Sequence, residues 1–78
     1  MTETAMVHTL DVRGLKCPLP VLKARKAIKD VPDGGLLEVL ATDPAAMLDF
    51  RHYCNQSGHE LVSAEEGAVL RFVIRRVG

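Results

Sequence analysis

The chain contains no tryptophan, one tyrosine and two phenylalanines, and its ten basic residues are balanced by ten acidic residues. A general nucleic-acid binder needs a basic excess and aromatic stacking surfaces, so this composition argues against one. No apolar run approaches the roughly 20 residues that cross a bilayer. We therefore expect a soluble globular protein, and the N-terminal "MTETAM", which has no basic start or apolar stretch, predicts a cytoplasmic location.

The length limits the chain to one small domain. With 78 residues, 47% of them hydrophobic, it can bury a single modest core. We expect residues 1–7 to be a flexible N-terminal lead-in and residues 8–78 to form the domain. The two cysteines lie outside any secretory context, which fits free thiols in a reducing compartment better than a disulfide framework.

The spacing of hydrophobic residues alternates along the chain between the period of a strand and the period of a helix, which predicts the element order β-α-β-α-β-β. The first three predicted elements are a strand over His8–Val12, a helix over Pro18–Val31 and a strand over Leu36–Ala41. The second helix is predicted to have Asp43 as N-cap and Pro44 as first residue, to run to Gln56 and to stop at Gly58. Two strands joined at Glu65–Gly67 complete the chain. A right-handed β-α-β crossover places its helix on one face of the sheet. The fold class is therefore α+β, a two-layer α/β sandwich with a mixed four-stranded sheet and two helices on one face.

Helical periodicity separates core residues from surface residues. The inward arc of the first helix holds Val21, Ala24, Ala27, Ile28 and Val31, and its outer arc holds Leu19, Leu22, Lys23, Lys26 and Lys29. The inward arc of the second helix holds Ala46, Met47, Phe50, Tyr53 and Cys54. We interpret Cys54 as a small core residue. Leu19 and Leu22, together with Lys23 and Lys26, are either a partner-docking rim or isolated surface residues.

The stretch "GLKCPLP" holds the other cysteine between residues that restrict the backbone. With Pro18 as the first helical residue, Cys17 is the N-cap, and its sulfur faces the positive end of the helix. Lys16 and Arg13 add positive charge, so we expect a lowered pKa and a nucleophilic sulfur. Five other residues are expected to support the thiolate. Gly14 turns the chain, and Pro18 and Pro20 stiffen the loop and the first helical turn. The N–H groups of Leu19 and Val21 remain as hydrogen-bond donors for the sulfur. The alternative is an incidental cysteine at a well-formed helix start.

Three segments carry a family resemblance. The stretches "LDVRGLKCPLPVLKARKAI", "ATDPAA" and "CNQSGHEL" resemble the TusA/SirA-like sulfur carrier family, whose signature is a Cys-Pro-X-Pro motif at the start of the first helix. The resemblance implies the same β-α-β-α-β-β sandwich. It also implies that Cys17 accepts sulfane sulfur as a persulfide from a cysteine desulfurase or rhodanese and passes it to an acceptor protein. The family serves tRNA thiolation, molybdenum cofactor maturation and sulfur oxidation, and Leu19 at the X position leaves the pathway open.

Other functions are weaker alternatives. The chain is interpreted as a sulfur carrier rather than a turnover enzyme, since His8, His52 and His59 are each placed as surface or sheet residues and no general base is evident. A thiol-disulfide oxidoreductase would pair its cysteines locally, and no metal-ligand spacing or cofactor motif is present. A small RNA-binding module that uses the basic strip of the first helix is the main rival.

Overall fold

The computed structural model describes residues 7–78, which form four strands and two helices in the predicted order. The strands are β1 (Val7–Asp11), β2 (Leu36–Ala41), β3 (Glu60–Glu65) and β4 (Leu70–Arg75), and the helices are α1 (Leu19–Ala27), extended by a 3₁₀ turn over Ile28–Asp30, and α2 (Ala46–Ser57). Of the predicted lead-in, residues 1–6 lie outside the described residues, whereas Val7 already belongs to β1. No helix within residues 7–78 has the length and apolar character needed to cross a membrane.

The sheet is mixed, with the strand order β1-β2-β4-β3. β1 runs parallel to β2, whereas β4 pairs antiparallel with both β2 and β3. The parallel pair needs a crossover, and α1 supplies it. Both helices cover the same face of the sheet, so the predicted two-layer sandwich is confirmed.

The core lies between the helices and this face of the sheet. The Phe50 ring of α2 stacks on the Phe72 ring of β4 with a centroid distance of 4.7 Å, and both side chains are fully buried. Every residue predicted on the two inward arcs is buried or half-buried. Cys54 is 5% exposed, and this burial raises the pKa of its thiol to about 11. The prediction that Cys54 is a core residue is therefore confirmed.

Both helices begin later than predicted. α1 begins at Leu19 because Pro18, with φ −99° and ψ 13°, ends a turn in which the Leu19 N–H donates to the Lys16 carbonyl. α2 begins at Ala46 because the Ala45 N–H donates to the Asp43 carboxylate, while the Ala46 N–H donates to the Asp43 carbonyl. Asp43 therefore closes a turn before the helix, as its side chain prefers.

Gly58 ends α2 in the left-handed conformation, at φ +84°, as the sequence predicts. A Cβ at this position would meet no atom within 4 Å, so the cost of adding one comes from the backbone alone. We expect Gly58→Ala to lower the free energy of unfolding by about 1–2 kcal/mol in urea titrations. The control is Gly67→Ala, where φ is not in the left-handed range. Equal losses from both variants would contradict this account.

Candidate functional site around Cys17

The site is formed by two loops that meet at one edge of the sheet. Because β1 and β2 are parallel, the chain leaves both strands at the same edge, through the β1–α1 loop (residues 12–18) and the β2–α2 loop (residues 42–45). The Gly14 N–H donates to Thr42 Oγ1 at 2.9 Å, and the Cys17 N–H donates to Asp43 Oδ2 at 2.6 Å. Gly14 has φ +83°, which makes the sharp turn that the sequence predicts for it. The backbone of Cys17 is thus held by the neighbouring loop.

Asp43 is the residue that joins these loops. Its Oδ1 accepts the Ala45 N–H at 3.1 Å, while its Oδ2 accepts the Cys17 N–H. These two hydrogen bonds lower the pKa of the Asp43 carboxyl, first the one from Cys17 and then the one from Ala45, and the charge of Lys16 lowers it further. The positive charge that was expected to act on the thiol therefore acts on this carboxylate.

The prediction that Cys17 is the N-cap of α1 is wrong. The N-cap is Pro18, and no side-chain hydrogen bond caps the helix. Pro20, not Pro18, lies in the first turn, where its missing N–H costs nothing. Pro20 is also buried, so it packs toward the core, whereas Pro18 is exposed beside the thiol. The Leu19 N–H is used in the turn to Lys16 and is not available to the sulfur.

The prediction of a lowered Cys17 pKa is also wrong. The side chain is exposed, and the pKa of its thiol is raised. The largest cause is the polar interaction of the thiol with the Asp49 carboxylate, followed by desolvation and then by the negative charges of Asp49 and Asp43. Arg13 does not offset them, because its guanidinium forms a bidentate ion pair with Asp11 at 2.8–2.9 Å and lowers the pKa of that carboxyl to about 2.

A shallow cleft of about 170 Å³ opens beside the thiol between the two helices. Its lining residues are Cys17, Pro18, Val21, Arg25, Asp49, His52, Tyr53 and Gln56. The sequence prediction included the first three and missed the rest, because periodicity within one helix does not show which residues face a second helix. His52 is exposed, as predicted, yet it borders the thiol cleft.

A larger cleft of about 460 Å³ adjoins the first and shares Arg25 and Tyr53 with it. Cationic and imidazole side chains contribute much of its wall: Arg25, Lys26, Lys29, His59 and Arg76. The Arg76 side chain is held there because its Nη1 donates to three backbone carbonyls at and just after the 3₁₀ turn that follows α1. These are the carbonyls of Ile28, Lys29 and Val31, at 2.7–3.4 Å. We call this cavity the basic cleft.

A family model described as "Sulfurtransferase TusA" matches residues 8–76 of this chain. The chain belongs to the TusA family. A protein of Neisseria meningitidis serogroup A is 55% identical over 59 residues, which cover 76% of this chain and 80% of that protein. The sulfur carrier protein TusA of Allochromatium vinosum is 44% identical over 68 residues, which cover 86% of this chain and 90% of that protein.

The fold of this TusA-family chain is also found in a solved structure. The crystal structure of a SirA-like protein from Desulfitobacterium hafniense matches with a TM-score of 0.77 and 22% identity, over 94% of this chain and all of the other. This likeness concerns the fold. Among the residues that the structure describes here, no group of three or more His, Cys, Asp or Glu side chains is arranged to hold a metal ion.

The four residues of the predicted docking rim lie exposed on α1. Leu19 is 45% exposed and Leu22 is 49% exposed, and Lys23 and Lys26 are exposed beside them. Leu48 of α2, which is 72% exposed, is a further apolar surface residue that helical periodicity did not single out. The first helix therefore presents apolar and basic groups next to the loop that carries Cys17.

The hydrogen bond from the Cys17 N–H to Asp43 predicts a pH-dependent loop. We expect Asp43→Ala to speed hydrogen exchange of the Cys17 amide about tenfold relative to wild type, because the acceptor is lost. Since the pKa of Asp43 is lowered in the folded protein, wild-type protection should be complete above the ordinary value of 3.8 and lost as pH falls through the lower folded value. Amide exchange by NMR measures this. If the Cys17 amide exchanges as slowly in the variant as in wild type, the hydrogen bond to Asp43 does not protect it.

Proposed function

We propose that the chain is a sulfur carrier that holds sulfane sulfur as a persulfide on Cys17. The observation that carries the proposal is the contrast between its two thiols, because Cys17 is exposed on a loop held by Asp43 while Cys54 lies in the core. Similar proteins that are named sulfur carrier proteins support it. The family resemblance suggests a cysteine desulfurase or rhodanese as the donor and a second protein as the acceptor.

Such a carrier needs one accessible sulfur and a surface that partners can cover. In loading, the Cys17 sulfur attacks the sulfane sulfur of the donor persulfide, and the S–S bond of the donor breaks, leaving its electron pair on the donor cysteine. Delivery reverses these roles toward the acceptor. The open thiol cleft of about 170 Å³ suits contact with a protein better than enclosure of a small substrate. This favours a carrier over a turnover enzyme.

We propose the exposed rim of Leu19, Leu22, Lys23 and Lys26 as the docking surface for both partners. It adjoins the thiol, and Lys26 also lines the basic cleft, which fits an acidic partner surface. The RNA-binding alternative is less well supported, because Phe50 and Phe72 are fully buried and cannot stack on bases. The acceptor pathway, whether tRNA thiolation, cofactor maturation or sulfur oxidation, depends on the partner, and the free thiols fit a cytoplasmic location.

The first test is sulfur loading. We expect wild-type protein incubated with a cysteine desulfurase and cysteine to gain one sulfur atom in intact-mass spectra. Cys17→Ser should gain none because it lacks the accessible thiol. Cys54→Ser is the matched control and should load as wild type does, since that thiol is buried. Equal loading of Cys17→Ser and wild type would refute the proposal.

The second test concerns the docking rim. We expect Leu19→Ser combined with Lys23→Glu to slow loading at least about tenfold, since the double change removes apolar contact and reverses a charge. The matched control is Val62→Ser with Arg75→Glu on the β3–β4 hairpin, where Val62 is 42% exposed. Loading rates measured at low donor concentration distinguish the two variants. Equal rates for rim and control variants would show that the partners dock elsewhere.

A further inference from the structure

The basic cleft collects positive charge that no carboxylate of the described chain compensates. Four cationic side chains line it, and no Asp or Glu side chain does. The four are Arg25, Lys26, Lys29 and Arg76. The salt bridges within residues 7–78 involve the guanidinium groups of Arg13, Arg71 and Arg75, none of which lines this cleft. The four charges of the cleft therefore remain available to an anion.

Arg76 gives the cleft a cation in a fixed position. Its side chain is half-buried, and its Nη1 donates to three backbone carbonyls at 2.7–3.4 Å. Its backbone is also paired, because the Arg76 N–H donates to the Gly35 carbonyl and the Arg76 carbonyl accepts the Gly34 N–H, both at 2.9 Å. The Nη1 bonds leave the donors on Nε and Nη2 for a ligand. A guanidinium that is already held in place loses little entropy when it meets an anion.

His59 adds an oriented hydrogen-bond donor to the same cleft. Its Nδ1 accepts the Val77 N–H at 3.0 Å, so the neutral ring carries its hydrogen on Nε2. The centroids of the His59 and Tyr53 rings lie 6.1 Å apart, with an interplanar angle of 59°. Leu22 and Ile28 contribute apolar surface to the lining. The cleft thus offers donors for an anion beside rings and aliphatic groups that can contact an organic moiety.

The extent of the positive charge favours a small ligand over a nucleic-acid strand. The volume of about 460 Å³ lies within the range of small-molecule sites. Carboxylates adjoin the cleft at two places. Asp33 Oδ1 accepts the N–H of Gly78, which lines the cleft, and Asp49 lines the adjoining thiol cleft. A strand of RNA that continued beyond the cleft would come near these carboxylates, whereas a compact anion would not.

We propose that the basic cleft binds a small molecule that carries two or more linked phosphate groups. A phosphate group carries about −1.5 to −2 charges at pH 7, so linked phosphates bring more negative charge into the same volume than carboxylate side chains do. The planar forks of Arg25 and Arg76 match the oxygens of a phosphate group. Free pyrophosphate and a nucleoside diphosphate share this chemistry, and they differ in whether an organic moiety contacts Leu22 and Tyr53.

This ligand and an acidic protein partner would use the same cations. In the proposed docking, the charges of the cleft attract the partner, so a bound polyphosphate competes with it. Arg25 and Tyr53 also line the thiol cleft, which brings the competition next to Cys17. Binding of the ligand itself does not depend on the carrier function, and it can be measured without a sulfur donor.

NMR titration of isotopically labelled protein tests the proposal. We expect pyrophosphate and ADP to shift the amide signals of Ser57 and His59 in a saturable manner, with a Kd of about 0.1–1 mM at low salt. Inorganic phosphate should bind at least about threefold more weakly, because it carries less charge. Tighter binding of ADP than of pyrophosphate shows that the organic moiety contacts the cleft, whereas equal affinity assigns binding to the phosphates alone.

Two double variants separate the cleft from the overall charge of the protein. Arg25→Gln with Lys29→Gln removes two exposed cations of the cleft and should weaken pyrophosphate binding at least about tenfold. The matched control is Arg51→Gln with Arg75→Gln, which removes two exposed cations outside the cleft and should bind as wild type does. Unfolding midpoints close to wild type show that both variants are folded.

The proposal is overturned if neither pyrophosphate nor ADP produces saturable shifts at concentrations up to about 10 mM. Equal loss of binding in the cleft and control variants would overturn it too, because the attraction would then come from net charge alone. Tighter binding of a short single-stranded RNA or of hexaglutamate than of either phosphate ligand would assign the cleft to a macromolecule instead.

Discussion

The position of the Cys17 backbone depends on the hydrogen bond between the Cys17 N–H and the Asp43 carboxylate. It joins the loop after β1 to the loop after β2, and these loops are neighbours only because the two strands run parallel. A second hydrogen bond, from the Gly14 N–H to Thr42 Oγ1, fixes the beginning of the loop after β1. An exposed cysteine on a free loop would lose entropy on every encounter with a partner, whereas this one is already held in place.

The two thiols of the chain have raised pKa values for different physical reasons. Burial in the core is the cause for Cys54, and no partner can remove it without unfolding. For Cys17 the largest cause is the interaction with the Asp49 carboxylate, followed by desolvation and then by the negative charges of Asp49 and Asp43. Charges at a surface respond to whatever covers them, so a docked protein would change the pKa of the Cys17 thiol more than that of Cys54.

Much of the fold could be predicted from the sequence because it rests on local periodicity. Leu36–Ala41 was predicted at its observed bounds, and Gly58 was predicted to end α2 because few other residues adopt that conformation without strain. The exposed position of Leu19 could also be predicted, because helical periodicity places this residue on the outer arc of the first helix. The reactivity of Cys17 could not be predicted, because a helix start next to Lys16 suggests a positive environment when considered alone.

What the sequence did not reveal were contacts between separate segments. The carboxylates of Asp43 and Asp49 lie 26 and 32 positions after Cys17 in the chain, and nothing in their spacing shows that they meet it. The N-cap prediction failed for a related reason. A turn closed by the Leu19 N–H moved the helix start past Pro18, and Cys17 lines a cleft together with Asp49 of the second helix.

The arrangement of charge around the thiol defines what a partner must provide. Arg25 and Tyr53 line both the thiol cleft and the basic cleft, so a partner that fills the basic cleft with acidic side chains also comes to lie over Cys17. The same partner must tolerate or neutralise the carboxylate of Asp49. One side of this surface favours acidic side chains of a partner, whereas the other side carries an acid of its own. Partners with a uniformly charged surface are therefore excluded. If partners dock here as proposed, this pattern of charge selects the donor and the acceptor.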